Sequence, residues 1–288
     1  MEQWQIFERM SEKVWLITGA SSGFGRALAQ TALERGERVI VTARNISAIA
    51  EFAARWPKTA HIAELDVTLP DHIKTVVTDS LSIFGRIDVL VNNAGYGLLG
   101  SLEESSDDQI RRIFEVNFFG ALNMIRELLP SFRAQKGGHV LNMSAAAAIA
   151  NYPGFGIYGA AKCALEGMSE SLAAEGRAFG LKVTIIEPGP FRTDFISRSL
   201  EKTSGNLSEY ESSVGKFSKI IGGMDGKQPG DAVRAAHAIL QVVASENAPM
   251  RLVLGKYAIA KLRRTLGQKE SELKLWEEAG LSADGPAN

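Results

Sequence analysis

A short apolar run, Val14-Trp15-Leu16-Ile17-Thr18, stops at Gly19, and Ala20-Ser21-Ser22-Gly23-Phe24-Gly25 follows. A helical pattern then runs to Arg35, Gly36 closes it, and a second apolar run begins at Val39-Ile40-Val41-Thr42. A strand, a glycine turn, a helix and a second strand in that order leave few architectures open. A strand buried on both faces of a parallel sheet reads as a continuous apolar run. Glycines let a backbone approach a ligand closely, and a helix N-terminus offers unpaired N–H donors and positive potential. The unit therefore reads as a dinucleotide-binding turn, against the plainer reading of a glycine-rich loop with no ligand.

The end of the second strand bears on which dinucleotide. A carboxylate there binds ribose hydroxyls, whereas an arginine accommodates a 2′-phosphate. The run is Thr42-Ala43-Arg44-Asn45, with no acid and one Arg. The reading is NADP(H) in preference to NAD(H); the alternative is that Arg44 stacks on the adenine or faces solvent. Further strands are expected at His61–Leu65, ending at Asp66-Val67, and at Val89–Asn92, running into Asn93-Ala94-Gly95. Others are expected at His139–Met143, at Val183–Glu187 before Pro188-Gly189-Pro190, and at Leu252–Leu254. Helices are expected over 71–84 with Asp71 as cap, over 107–135, over 158–178 and over 231–244. A charged amphipathic helix is expected over 258–279, with Trp276 on its apolar side. Asn117 falls mid-helix, where its plain reading is a core-facing or helix-bending polar residue. Residues 195–228 lack periodicity and read as a mobile cap. Alternating strands and helices make this an α/β chain, a single domain with a Rossmann-type doubly wound parallel sheet of about seven strands. The expected layout is an N-terminal extension at 1–12, a catalytic domain at 13–255 with its cap, and a C-terminal helix and tail at 256–288.

Within that frame Tyr158 and Lys162 stand four residues apart on an expected helix. Positions i and i+4 share a face, so an ammonium can lie near a phenol. A phenol titrates near ~10 unperturbed, and a neighbouring cation lowers that value, so the pair suits proton transfer near neutral pH. The alternative is a solvated helix surface.

Charge and composition close off other classes. The formal net charge of -1 argues against a nucleic acid or an anionic membrane as partner. Residues 137–161 carry no formal charge but are too rich in Gly, Asn, Pro and Tyr for a membrane span. Met1-Glu2-Gln3-Trp4 lacks the start of a signal peptide, and Met10-Ser11-Glu12-Lys13 reads as a second start. One cysteine, Cys163, excludes an intrachain disulfide and fits a reducing, cytoplasmic location; its expected role is a small buried helix residue. His61, His72, His139 and His237 show no ligand spacing, so no metal is expected.

Thr18-Gly19-x-x-x-Gly23-x-Gly25, Asp66-Val67, Asn92-Asn93-Ala94-Gly95, Asn117, Tyr158-x-x-x-Lys162 and Pro188-Gly189 stand in one order at characteristic spacings. Over residues 13–255 the chain resembles the short-chain dehydrogenase/reductase family. The Thr42–Asn45 turn, Pro188–Thr193 and the long C-terminal helix are similar to its 17-beta-hydroxysteroid or retinol dehydrogenase-like branch. The resemblance implies an NADPH-dependent carbonyl reductase, reversible as an alcohol dehydrogenase. In it Tyr158 protonates the carbonyl oxygen, Lys162 lowers the Tyr158 pKa and binds the nicotinamide ribose, and Asn117 holds a water. It places Gly19, Ser21, Ser22, Gly23, Phe24 and Gly25 along the phosphates and adenosine, and Asp66 and Val67 at the adenine. Asn93, Ala94 and Gly95 go to the ribose side, and Pro188, Gly189 and Thr193 to the nicotinamide.

One position departs from the family. Its catalytic serine stands thirteen residues before the tyrosine and eight before the loop proline, and both counts reach Ala145. A serine lies one position earlier, Ser144, but one step along a strand end turns a side chain to the other face. Three readings accommodate this: a disabled variant of an active enzyme, an enzyme in which Ser144 or a substrate hydroxyl fills the gap, and a relative that binds NADP(H) without turnover. An epimerase or dehydratase would need an added base, for which Glu209 and Glu211 are the candidates. Tyr152, Phe155, Phe191 and Phe195 are expected to form an apolar pocket for a small hydrophobic carbonyl or alcohol. The resemblance also implies a homodimer or homotetramer paired through the helices at 107–135 and 158–178.

Overall fold

The computed structural model describes residues 12–205 and 207–285. The expected N-terminal extension, but for its last residue, and the last three residues of the tail lie outside the described residues. In chain order the elements are β1 (Val14–Ile17), α1 (Gly23–Glu34), β2 (Arg38–Ala43), α2 (Ala50–Arg55), β3 (Ala60–Glu64), α3 (Pro70–Phe84) and β4 (Val89–Asn92). There follow β5 (Gly97–Leu99), α4 (Asp107–Phe114), a π-helical turn Glu115–Phe119, α5 (Gly120–Ala134), β6 (Gly138–Met143), α6 (Ala146–Ile149) and α7 (Gly156–Gly176). The chain continues through β7 (Leu181–Pro188), β8 (Phe191–Arg192), α8 (Phe195–Arg198), β9 (Leu200–Lys202) and α9 (Lys216–Gly223). It ends with β10 (Gly230–Asp231), α10 (Ala232–Ala244), β11 (Arg251–Leu254) and α11 (Lys256–Leu281).

Seven strands form one parallel sheet in the order β11-β7-β6-β4-β1-β2-β3. Alternate residues of a strand face opposite sides, and β1 shows why its run is apolar throughout. Trp15 and Ile17 enter one core with Leu28 of α1 and Ile239 and Leu240 of α10. Val14 and Leu16 enter the other, with Val76 of α3, Leu128 of α5 and Leu172 of α7. Chain order reverses between β1 and β4, and in such sheets the crevice beyond the strand ends at that point is where ligands bind.

Several boundaries differ from the sequence reading. Asp71 does not cap α3: Leu69 holds the N-cap position and Pro70 the first helical one, where proline's fixed φ and missing N–H cost nothing. The expected helix over 107–135 is interrupted by the π-helical turn that contains Asn117. Residues 195–228 are not a featureless cap; they hold α8, β9 and α9, elements of four, three and eight residues, and β9 pairs with β5. Elements that short do not complete enough turns or alternations to show a period.

Candidate active site

The site grows from the turn between β1 and α1. Gly19 (φ +68°) and Gly23 (φ +56°) take left-handed backbone that other residues adopt only with strain. A Cβ on Gly19 would also lie 2.8 Å from the Ala94 Cα, so the turn packs directly on the end of β4. The Thr18 hydroxyl ties the two together by accepting from the backbone N–H groups of Asn93 and Ala94, each at 2.9 Å. The Asn93 side chain donates back to the carbonyls of Thr18 and Gly19 at 2.8 and 3.0 Å. Asn93 therefore braces the turn. The first turn of α1 contains no acid, and Ser22 at its N-cap makes no side-chain capping bond. The first N–H groups of a helix have no intrahelical partner and carry the positive end of its dipole. This cradle fits a pyrophosphate.

A cleft of about 1140 Å³ opens above it, lined among others by Ser21, Phe24, Arg44, Asp66, Gly95, Ala145, Tyr158, Lys162, Gly189 and Thr193. Arg44 is exposed at its rim. Asp66 stands nearby; burial pushes its carboxyl up, but the N–H and hydroxyl of Thr68, with Arg44 and His72, hold it below the usual carboxylate range. Val67 packs under α5, where a Cβ on Gly120 would come within 2.7 Å of it. Thr193 lies beside Gly23, and Gly189 donates its N–H to the Leu254 carbonyl at 3.0 Å.

Tyr158 and Lys162 project from the first two turns of α7 and are both buried. Burial pushes the phenol above its ordinary value. Burial pulls the ammonium down to about 8, against the nearby Glu166 carboxylate, which raises it. The Lys162 Nζ lies 6.0 Å from the Tyr158 ring centre and donates to the Met143 carbonyl at 2.8 Å. The pair thus stands as the helical spacing predicted, with burial acting on the phenol and the ammonium beside it. Asn117 is buried in the π-helical turn, with its side-chain N–H on the Tyr96 carbonyl (2.8 Å) and its Oδ1 accepting the Tyr96 N–H (3.0 Å). These two bonds use one N–H and one lone pair of the amide and leave the other of each open.

Ala145 sits in the same apolar cluster as Tyr158 and Phe155. Ser144 does not replace the missing hydroxyl. Its Oγ donates to the Glu166 Oε1 at 2.5 Å, and Glu166 and Glu187 both lie within 3.5 Å of the exposed Arg251 guanidinium. The strand alternation at the end of β6 turns the two side chains apart. Tyr152, Phe155 and Phe195 gather around Tyr158, and Phe217 of α9 completes the aromatic wall with ring centroids 5.1 Å from Tyr152 and 5.2 Å from Phe155. Phe191 also lines the cleft but stands apart from this aromatic group: it packs on Phe24 at 5.0 Å, beside the glycine turn. Glu209 and Glu211 are exposed, and neither lines the cleft. Cys163 is exposed as well, so the expected buried position is corrected: it lies one residue past Lys162, on another face of α7. Among the described residues no cluster of three or more His, Cys, Asp or Glu could hold a metal, and no helix is long and apolar enough to cross a membrane.

The model of the family described as short chain dehydrogenase matches residues 13–204. The chain belongs to the short-chain dehydrogenase family. It is 32% identical over 273 residues to oxidoreductase BOA17 of Botryotinia fuckeliana, covering 94% of this chain and 99% of the relative. It is 35% identical over 247 residues to a 3-ketodihydrosphingosine reductase of Bacteroides thetaiotaomicron, covering 85% and 89%. A solved short-chain dehydrogenase of Streptomyces avermitilis superposes with a TM-score of 0.89 at 42% identity, covering 96% of this chain and all of that one. Other solved chains on this fold hold NAD or NADP.

Of the residues that sequence reading missed, Thr18 was inside a quoted motif, and Glu166 stands four residues after Lys162, a spacing that marks it as a neighbour. Phe217 lay in the aperiodic stretch, and Tyr96 acts through its backbone, which carries no sequence signal. Glu187 ends the apolar run of β7 and is almost wholly buried. Burial first, then the Glu166 carboxylate, push its carboxyl up to about 7, while Arg251 opposes them. An acid whose native pKa lies above its unfolded value holds its proton more tightly in the native state. Its contribution to stability therefore falls as pH rises from 4.5 to about 7, and is level above that. Glu187→Gln is expected to raise the melting temperature at pH 8, with the gain shrinking towards pH 5. Thermal melts of both proteins across that range check it; a wild type more stable at pH 8 would mean that the Arg251 ion pair outweighs desolvation.

Proposed function

We propose that this oxidoreductase is an NADPH-dependent carbonyl reductase, reversible as an alcohol dehydrogenase, acting on an apolar ketone or aldehyde. The observation that carries the proposal is one continuous cleft. At one end it has an anion cradle with Arg44 at the rim; at the other it has a protonated, buried phenol inside an aromatic wall. When bound, the dihydronicotinamide supplies the hydride. Tyr158 gives its proton to the carbonyl oxygen. Lys162 keeps two further N–H donors beyond the one on Met143, enough for ribose hydroxyls, and its charge sits where the phenolate forms. Tyr152, Phe155, Phe195 and Phe217 exclude water and select apolar substrate. The reductase relative acts, by its name, on 3-ketodihydrosphingosine, a ketone, which accords with this reading. The similarity of the Thr42–Asn45 turn and the Pro188–Thr193 segment supports the 17-beta-hydroxysteroid or retinol dehydrogenase-like branch; the single cysteine fits a cytoplasmic setting, and the family resemblance implies a homodimer or homotetramer.

Arg44 carries the cofactor preference. Turnover is expected with NADPH over NADH on a panel of aldehydes and ketones. Arg44→Asp should shift the ratio of kcat/KM values towards NADH by about ten-fold or more, by exchanging a phosphate-binding cation for a ribose-binding carboxylate. A wild type that prefers NADH would remove this role for Arg44. Product structure separates reduction from epimerisation and dehydration.

Ala145, with Ser144 held by Glu166, favours a second reading, an NADP(H)-binding protein with little or no turnover. It keeps the cradle and loses one donor to the carbonyl oxygen.

A further inference from the structure

The helix α11 begins against the body and leaves it. Ala258, Lys261 and Thr265 are buried, whereas every residue from Leu266 to Leu281 is exposed. At ~1.5 Å per residue the free part extends about 24 Å. A sixteen-residue helix with no contacts is marginal in water, and this one carries Gly267 and Gly280 besides. Leu275 and Leu281 apart, its large apolar residues beyond Tyr257 follow one pattern. Ile259, Leu262, Leu266, Leu273 and Trp276, with the stem of Lys269, recur at alternating steps of three and four, the seam of a coiled coil. Leu262 packs on Ala146, Ile149 and Ala258, but Leu266, Leu273 and Trp276 are 57, 63 and 68% exposed. Leu262 is thus the one seam residue packed on the body, and beyond it the seam runs on uncovered.

Charge along the helix identifies what covers it. Residues 256–264 hold Lys256, Lys261, Arg263 and Arg264 and no acid; residues 270–278 hold Glu270, Glu272, Glu277 and Glu278 against one lysine. A parallel pairing of two copies would set acid against acid and base against base. An antiparallel pairing sets each acidic half along the other's basic half. In the register that places Leu262 opposite Leu273, Ile259 meets Trp276, Leu266 meets Lys269 and Arg263 meets Glu272. Seam residues then face seam residues throughout.

We infer that α11 is a dimerisation arm: the free half of each copy lies antiparallel along the base of α11 in a second copy. This surface is separate from the faces of α4, α5 and α7 that the family resemblance offers for pairing. The test is the mass of the full chain by sedimentation and light scattering. The wild type should be an even-numbered oligomer, and Leu273→Glu with Trp276→Glu should halve its mass with unchanged circular dichroism and cofactor binding. Arg263→Glu with Arg264→Glu should weaken association about ten-fold or more, and adding Glu270→Arg and Glu272→Arg should restore it. A monomeric wild type, or a mass unmoved by the seam substitutions, overturns the inference. So does binding of the wild type to anionic phospholipid vesicles that the seam variant loses while its mass stays the same. Failure of the second charge reversal to restore the mass overturns the antiparallel arrangement.

Discussion

Tyr158→Phe is expected to lower NADPH-linked carbonyl reduction by about 10²–10⁴, the usual range for loss of a positioned acid. Cofactor affinity and melting temperature should stay close to wild type. The separation follows from the surroundings of the phenol. Among the described residues its hydroxyl has no recorded hydrogen bond to the protein, while its ring packs with Phe155 and Phe195. Phenylalanine keeps the ring contacts and removes only the proton. Burial holds the phenol above its ordinary pKa, so the protonated form is the resting form and the loss should persist across neutral pH. Stopped NADPH oxidation with intact fluorescence quenching of bound cofactor checks both halves. A variant that turns over at the wild-type rate would show that the proton comes from elsewhere.

Ala145→Ser is expected to act in the other direction, raising turnover by at least ten-fold and up to about 10²–10³, the usual worth of one donor to a developing oxyanion. Ala145 is extended at φ -164° and ψ 158°, backbone that serine adopts without strain. Its neighbours in the apolar cluster include Tyr158, so a new hydroxyl would share the phenol's side of the cleft. Ser144 offers no such donor, because Glu166 accepts its proton in a buried bond. The rate with NADPH and a carbonyl panel, before and after substitution, decides between an enzyme short of one donor and a cofactor-binding protein without chemistry. Unchanged rates would remove the first and leave the second.

Much of this was readable without coordinates, and the reason is local. A strand buried on both faces must be apolar throughout, so β1, β2, β4, β6 and β7 each stand out as runs. The glycine turn stands out because Gly19 and Gly23 take backbone that few other residues accept. Tyr158 and Lys162 are separated by one helical turn, so their spacing alone puts them on one face. By contrast, α8 and β9 are too short to show a period, and Phe217 reaches the aromatic wall only through the way α9 folds back.

Sequence by itself determined the seven-strand α/β fold, its glycine turn and the shared face of Tyr158 and Lys162, because each rests on contacts within a few residues or on burial pattern. Tertiary structure alone decided which way side chains one residue apart are turned, and what they meet. It tied the Ser144 hydroxyl to Glu166, set Phe191 against Phe24, and bonded the Asn117 amide to the Tyr96 backbone. It also buried the phenol, which raises its proton affinity. These outcomes depend on residues distant in the chain that close around each group, and no spacing encodes that distance.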